Sequence, residues 1–364
     1  MRSLVVTLLC LLCVSTAAAV EVKGLYDVEV PVEDQTRDSR HVAYRTALSE
    51  ILVRVSGQSE IMMQPEFHAV LDKAYTLVQS YRYRKLNVQE AIEKGLESGL
   101  VLWVRLDAER VQRLLREAQR PIWGQVRPGM ITWVVIEQGG KRELLGTASS
   151  HPAKQLMAQR ATLRGMPLQY PLLDLVDQQV VTSSDVWGGF DDPVRTASLR
   201  YNNDVILMGR VFSRNNRVWT AEWQLLMPEQ TRTWSVQGTD LASLLKPSLD
   251  IAVDNVARRF AQSTTLSAAD SGYTRVKVWN VNTLEDYARV LQYLQKQISV
   301  QEVLPGTISD GTVEFRIRTE SSWDNVAKGI ALSYLLYPYS PDIAEFERNT
   351  DPAAPVIQHY RYLP

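Results

Sequence analysis

Both cysteines of this chain, Cys10 and Cys13, fall within its first 13 residues. Everything after them must fold without a disulfide, and without a thiolate to bind metal or attack a substrate. Small exported domains often need disulfide staples, but a chain of 364 residues can bury adequate apolar cores without them. Its length favours two or three domains, and its 45% apolar content is that of ordinary globular protein.

The segment that holds the cysteines has a pattern of its own. Met1 and Arg2 give a short basic start, and Leu4 to Val14 run almost unbroken apolar. Ala17-Ala18-Ala19 follows as a small-x-small site. This order predicts a secretory signal peptide over residues 1–19, cleaved after Ala19. The apolar core is shorter than the about 20 residues a membrane span needs, and no later stretch reaches that length. Leu9 and Leu12 stand where a lipoprotein site needs small residues. A cysteine-free exported chain points to a Gram-negative periplasm. The net charge of −1 argues against a nucleic-acid footprint.

Periodicity predicts an α+β chain of three small α/β sandwich units. In the first, over residues 20–120, Val28 and Val30 alternate on a strand. A helix from Thr36 to Val55 follows, with Val42, Ala43, Ala47, Leu48, Ile51, Leu52 and Val55 as its apolar stripe, Arg54 outside it and Gly57 as its stop. A helix near Pro65, strands at 77–86 and 100–106, and a helix capped by Asp107 complete the unit. The second unit, over 121–263, opens with a β-branched strand from Met130. It passes through a Pro- and Gly-rich stretch of loops and short helices at 166–203. Three strands near 205–237 and a long helix from Asp240 close it, with the first turn of those strands at Asn215-Asn216. The third, over 272–337, reads βαββα, a ferredoxin-like or POTRA-like order. Thr283 and Ser321 head its two helices in capping-box spacing. The proline-containing residues 338–364 read as an extended, partly mobile tail.

The run VEVPVEDQTRDSRHVAYRTALSEILVRVSG, Val28 to Gly57, resembles the N-terminal signature of a bacterial family of unknown function numbered 2066. The resemblance rests on Val32, Asp34, Gln35, Ala47, Leu48 and Val53 to Gly57. Gly209-Arg210-Val211 with Trp219 and Trp223, and the helix around Tyr287 to Leu294, resemble it too. The resemblance implies an exported Gram-negative protein and brings no activity or catalytic residues with it. The first strand and helix are also similar to those of envelope assembly proteins such as the flagellar assembly protein T.

Motifs for chemistry are sparse. Ser243 and Lys246 match a Ser-x-x-Lys pair, but no Lys-Thr-Gly accompanies it, and the polar side of a helix explains both residues. His41, His68, His151 and His359 share no ligand spacing. Asp191-Asp192 and Glu33-Asp34 lack a calcium-loop pattern. No catalytic, cofactor or metal site is therefore expected. Nine tryptophans are the richer signal. Trp219 and Trp223 share one face of a strand, where they would pack in a core or stack on sugar rings. Trp187-Gly188-Gly189-Phe190 sets two large aromatics about a pair of glycines, in what reads as a partner-contact loop. Tyr81-Arg82-Tyr83-Arg84 alternates, tyrosines on one face of a strand and arginines on the other. Together these predict a periplasmic, non-catalytic envelope adaptor or assembly factor with an envelope protein partner. The contact residues would be Trp187, Phe190, Trp219 and Trp223. A peptidoglycan- or glycan-binding module is the alternative, and a hydrolase assembled from distant residues a further one.

Overall fold

The computed structural model describes residues 20–94, 99–213, 218–228, 230–261, 273–297, 300–309, 311–319, 323–331, 335–340 and 357–363. The predicted signal segment, the Asn215-Asn216 turn and Ser321 lie outside them. The chain is a mixed α+β protein with several small open sheets.

The first unit runs β1 (Val20–Glu21), β2 (Asp27–Pro31), α1 (Arg37–Ser56), α2 (Pro65–Leu71), β3 (Val78–Lys85), α3 (Val88–Lys94), β4 (Leu100–Leu106), α4 (Ala108–Glu117) and β5 (Val126–Arg127). Its main sheet has the order β2-β4-β3, all antiparallel, and β1 pairs with β5. α1 begins where the Thr36 side chain accepts from Ser39 N–H, and ends at Gly57 in the left-handed region, φ 72°. Ala47, Leu48, Ile51, Leu52 and Val55 of its stripe are fully buried against Val28, Val30, Leu102 and Val104. Two positions depart from the predicted stripe. Val42 is 64% exposed, while Arg54, expected outside, is 6% exposed. α3 falls in a stretch where periodicity indicated no element.

The second unit has three layers. Its elements are β6 (Met130–Gln138), β7 (Lys141–Leu144), α5 (Pro152–Leu163), β8 (Leu168–Gln169), α6 (Leu175–Val180), α7 (Ser183–Gly188), α8 (Asp191–Ser198), β9 (Val205–Ser213), β10 (Trp219–Met227), β11 (Gln230–Gly238) and α9 (Leu241–Phe260). The sheet order is β11-β10-β9-β6-β7, with β6 and β9 parallel and a short parallel β8 beside β6. Helices cover both faces of β6, which explains its unbroken apolar run. Met130, Val134 and Ile136 face α5 and α9, whereas Ile131, Trp133 and Val135 face α6 to α8.

The third unit contains β12 (Tyr273–Trp279), α10 (Leu284–Gln295), β13 (Val300–Ser309), β14 (Thr312–Thr319), α11 (Trp323–Ala331), β15 (Leu336–Pro338) and β16 (Ile357–Tyr362). The βαββα order is present, with Thr283 and Asp286 forming a reciprocal capping box on α10. The region expected to be a tail instead supplies β16. This strand lies parallel to β12 in the order β13-β14-β12-β16-β15, and buries Tyr360 and Tyr362. Alternation in Ile357-Gln-His-Tyr-Arg-Tyr carried that signal beneath the prolines.

The first two units meet around buried arginines. Arg127 is fully buried and donates to five backbone carbonyls: Gly124, Trp123, Arg54, Arg164 and Gly165, at 2.8–3.0 Å. Its guanidinium lies 4.0 Å from the Trp123 ring centroid. Arg54 donates to the carbonyls of Leu163, Gly24, Leu25 and Asp27. Arg164 bridges Asp250, Asp254 and the Gly57 carbonyl. Burial, and then the neighbouring Arg54, lower the Arg127 pKa to about 9, which leaves it cationic at neutral pH.

Removing this side chain strands five carbonyls in a closed space. Arg127→Met should therefore cost about 3 kcal/mol or more, read as a lower urea midpoint for the first transition. Arg113→Ala on the exposed side of α4 should leave that midpoint within about 0.5 kcal/mol. Glu50, on α1, gives a pH test. Burial raises its pKa from 4.5, against the opposing pull of Arg54 and Arg160. A raised carboxyl pKa means the folded state holds the proton longer. Stability should then fall as pH rises from 4.5 through the folded value, and Glu50→Gln should flatten that fall in urea titrations across the same range.

Candidate functional site

The aromatic-glycine motif forms a corner between α7 and α8, not a free loop. Thr182 and Asp185 make a reciprocal capping box at the start of α7. Gly189 ends it with φ 77°, a conformation side chains resist. A Cβ at Gly189 would sit 2.8 Å from Gln224 Nε2, and one at Gly188 would sit 2.6 Å from the Phe190 ring. Gly189 is required by its left-handed backbone, whereas the Cβ contacts at both positions fall on side-chain ends, the Gln224 amide and the exposed Phe190 ring.

The corner is held from several sides. The Trp187 ring lies against the Arg142 guanidinium, 3.8 Å from the centroid, and tilts on Phe212. Its carbonyl accepts from Arg210 at 2.7 Å, and Arg210 in turn grips Glu222. α8 is anchored below, where Trp133 Nε1 donates to Ser198 Oγ at 2.9 Å. α6 is tied on by Arg200, which forks onto Asp174 and reaches the buried Asp177. That fork, with backbone donors, holds the exposed Asp174 carboxyl down at about 2.

Beside the corner, the outer strands β9 to β11 leave a polar groove of about 420 Å³, with Arg210, Glu222, Gln224, Thr233 and Ser235 among its lining. Sequence reading missed this groove, because its side chains come from strands that meet only after folding. A larger concavity, about 480 Å³, lies between α4 and α10, where Tyr26, Gln112, Arg289 and Lys296 line it.

The four sequence-predicted contact residues separate. Trp187 is half-buried and Phe190 is 61% exposed. Trp219 and Trp223 do share a face, but they lie 8% and 2% exposed in the core under α5 and α9. Trp223 stacks on Trp234 at 6.4 Å. Neither ring reaches the surface, so neither offers a sugar or a partner a platform in this conformation. The alternating Tyr81 to Arg84 segment turns its tyrosines toward Tyr44 and Arg40 on α1, while Arg82 lies over Trp103 and Arg84 forks onto Glu29.

The other motifs are structural. Ser243 is the third residue of α9 and caps it with Asp240. His151 caps α5, His68 reaches the Met62 carbonyl, His41 meets Tyr44 edge-on and Tyr75 at a tilt, and His359 accepts from Trp279. Among the described residues no three His, Cys, Asp or Glu converge as a metal site, and no helix is long and apolar enough to cross a membrane.

Residues 19–124 match a domain of unknown function, DUF8605. That is a different family from the one the run Val28 to Gly57 resembled, so the resemblance to family 2066 does not stand. The fold shows why the run misled. Ala47, Leu48, Val55 and Gly57 are core and cap positions that a strand and helix packed this way require whatever their descent. No curated protein matches the chain.

Gly189→Ala should place a Cβ in the left-handed region and against Gln224, costing about 1–2 kcal/mol in chemical denaturation. Gln224→Ala in the same background should recover part of that loss by relieving the contact.

Proposed function

We propose that this chain is an exported, periplasmic, non-catalytic adaptor or assembly factor of the Gram-negative envelope, released by cleavage after Ala19. It holds a protein partner on its α6–α8 layer. The observation that carries this reading is the apolar surface of that layer. Leu172, Leu175, Val176, Val180, Phe190 and Leu199 are each 36% or more exposed within a short stretch of chain. Single exposed apolar side chains are common, but such a concentration on short helices and the turns beside them favours a contact surface. The capping box, the Arg200 fork and the Trp133–Ser198 bond keep these helices in place without a partner. Little ordering is then left for the moment of binding, which favours affinity.

The test is in-cell crosslinking of tagged protein at native level, with mass spectrometry and compartment fractionation. One envelope protein should be enriched from the periplasmic fraction. It should be lost in a Leu175→Ser/Phe190→Ser/Leu199→Ser variant that melts like the wild type. Equal capture by that variant, or a chain found in the cytoplasm with residues 1–19 intact, would sink the proposal.

A further inference from the structure

Among the described residues, the sheet of the third unit is covered on one face only. Val276, Val278, Val313, Phe315, Ile317, Tyr360 and Tyr362 turn into the core under α10 and α11. The alternate residues form an outer face that is half-buried to exposed. Its charge is unlike that of the chain, whose net charge is −1. Arg275 and Lys277 on β12, Arg316 and Arg318 on β14, and Arg361 on β16 all lie on it. Among the described residues of this sheet it carries two facing carboxylates, both already engaged: Glu314 takes Arg275 at 2.6 and 2.9 Å, and Glu302 takes Arg318 at 3.0 Å. Lys277, Arg316 and Arg361 have no ion-pair partner among the described residues.

Arg275 and Arg316 are directly opposite each other in the β12–β14 register, and Glu314, which forks onto Arg275 and is held low by nearby Lys277 and Arg316 as well, relieves that like-charge pair. What marks this face as more than a solvated surface is the seating of two of its cations. Lys277 and Arg361 rest on aromatic rings. Lys277 Nζ lies 4.5 Å from the Trp279 centroid, Arg361 lies 4.1 Å from that of Tyr339, and the two rings meet edge-on at 5.4 Å. That geometry selects the occupant. A nucleobase or a sugar needs a bare ring face, and here each ring holds a cation on one face and meets a second ring, Trp279 being flanked by both Tyr339 and His359. A carboxylate needs only the solvent side of the cation, and an aromatic floor with Arg above it is the composition of protein hot spots.

We propose that the outer face of the third-unit sheet binds an acidic segment of a protein partner, with Lys277, Arg316 and Arg361 receiving its carboxylates and Trp279 and Tyr339 holding Lys277 and Arg361 in place. This rests on the adaptor reading but adds a second contact, on a different unit. Failure here would leave the α6–α8 surface standing, and crosslinking there is a separate experiment.

Poly-L-glutamate is the probe, titrated against the full chain by fluorescence anisotropy. Binding should weaken steeply as salt rises. It should fall by about tenfold or more in Lys277→Gln/Arg316→Gln/Arg361→Gln, with unchanged melting. Arg361→Lys, which keeps the charge, should bind nearly as the wild type does. Four results would overturn the proposal: no binding, equal binding by the triple variant, tighter binding of a thymidine oligonucleotide through the same residues, or retention on purified peptidoglycan alone. The sequence between β15 and β16 also holds Asp342, Glu345, Glu347 and Asp351; tighter poly-glutamate binding by Glu345→Gln/Glu347→Gln would assign the face to those residues, a fifth result that overturns the proposal.

Discussion

The structure turns on a cation clasped by carbonyls. Arg127 sits fully buried where two helices end, taking the Arg54 carbonyl from the last turn of α1 and the Arg164 and Gly165 carbonyls just past α5. Helix C-termini leave carbonyls unpaired and carry partial negative charge. Two such ends converging in a dry space would be costly by themselves. A guanidinium has five donors and no acceptor, and here all five are used without any carboxylate. The cation and the helix ends therefore each compensate what burial costs the other.

That junction explains details that otherwise look unrelated. Gly165 takes φ 63°, and a Cβ there would stand 2.8 Å from Arg127 Nη1, so only glycine admits the guanidinium. Gly57 closes α1 so tightly on α9 that a Cβ would fall 2.3 Å from that of Ala257. Arg54 is drawn inside because the Leu163, Gly24, Leu25 and Asp27 carbonyls need donors. Arg164 then crosses to Asp250 and Asp254, and Asp254 also accepts from Ser59. Units with separate apolar cores are thus joined by directional bonds, which fix their relative orientation more narrowly than apolar contact would.

What the sequence revealed follows the same physics. α1 and α10 could be read because each follows one period and starts or ends on a cap or a glycine, and β9 because its first half, Val205 to Met208, is apolar throughout. Asp107, Thr36, Gly57 and Thr283 all act as their types suggest. The Arg54 position was misread because its burial depends on carbonyls far away in sequence, the farthest at Leu163. Trp219 and Trp223 were correctly placed on one face, but alternation cannot say which face a helix covers. β16 hid behind prolines, and the groove beside Gly189 exists only once α7 meets β10. The corner itself was visible as a motif, although Gly189 turned out to serve its left-handed turn.

The placement of open surface follows from strand pairing. Parallel strands need crossovers that bury them on both faces, and β6 beside β9 is enclosed accordingly. Antiparallel additions carry no such obligation. β10 and β11 extend the middle sheet beyond the reach of α7, leaving the polar groove. The third unit departs from that rule: β12 and β16 are parallel, yet among the described residues α10 and α11 cover only one face of their sheet. The enclosed strands and the arginine junction give this chain rigidity. Its uncovered sheet faces and the apolar outer side of its short helices are where that rigidity can be put to use, since a surface held in shape before contact loses least on binding.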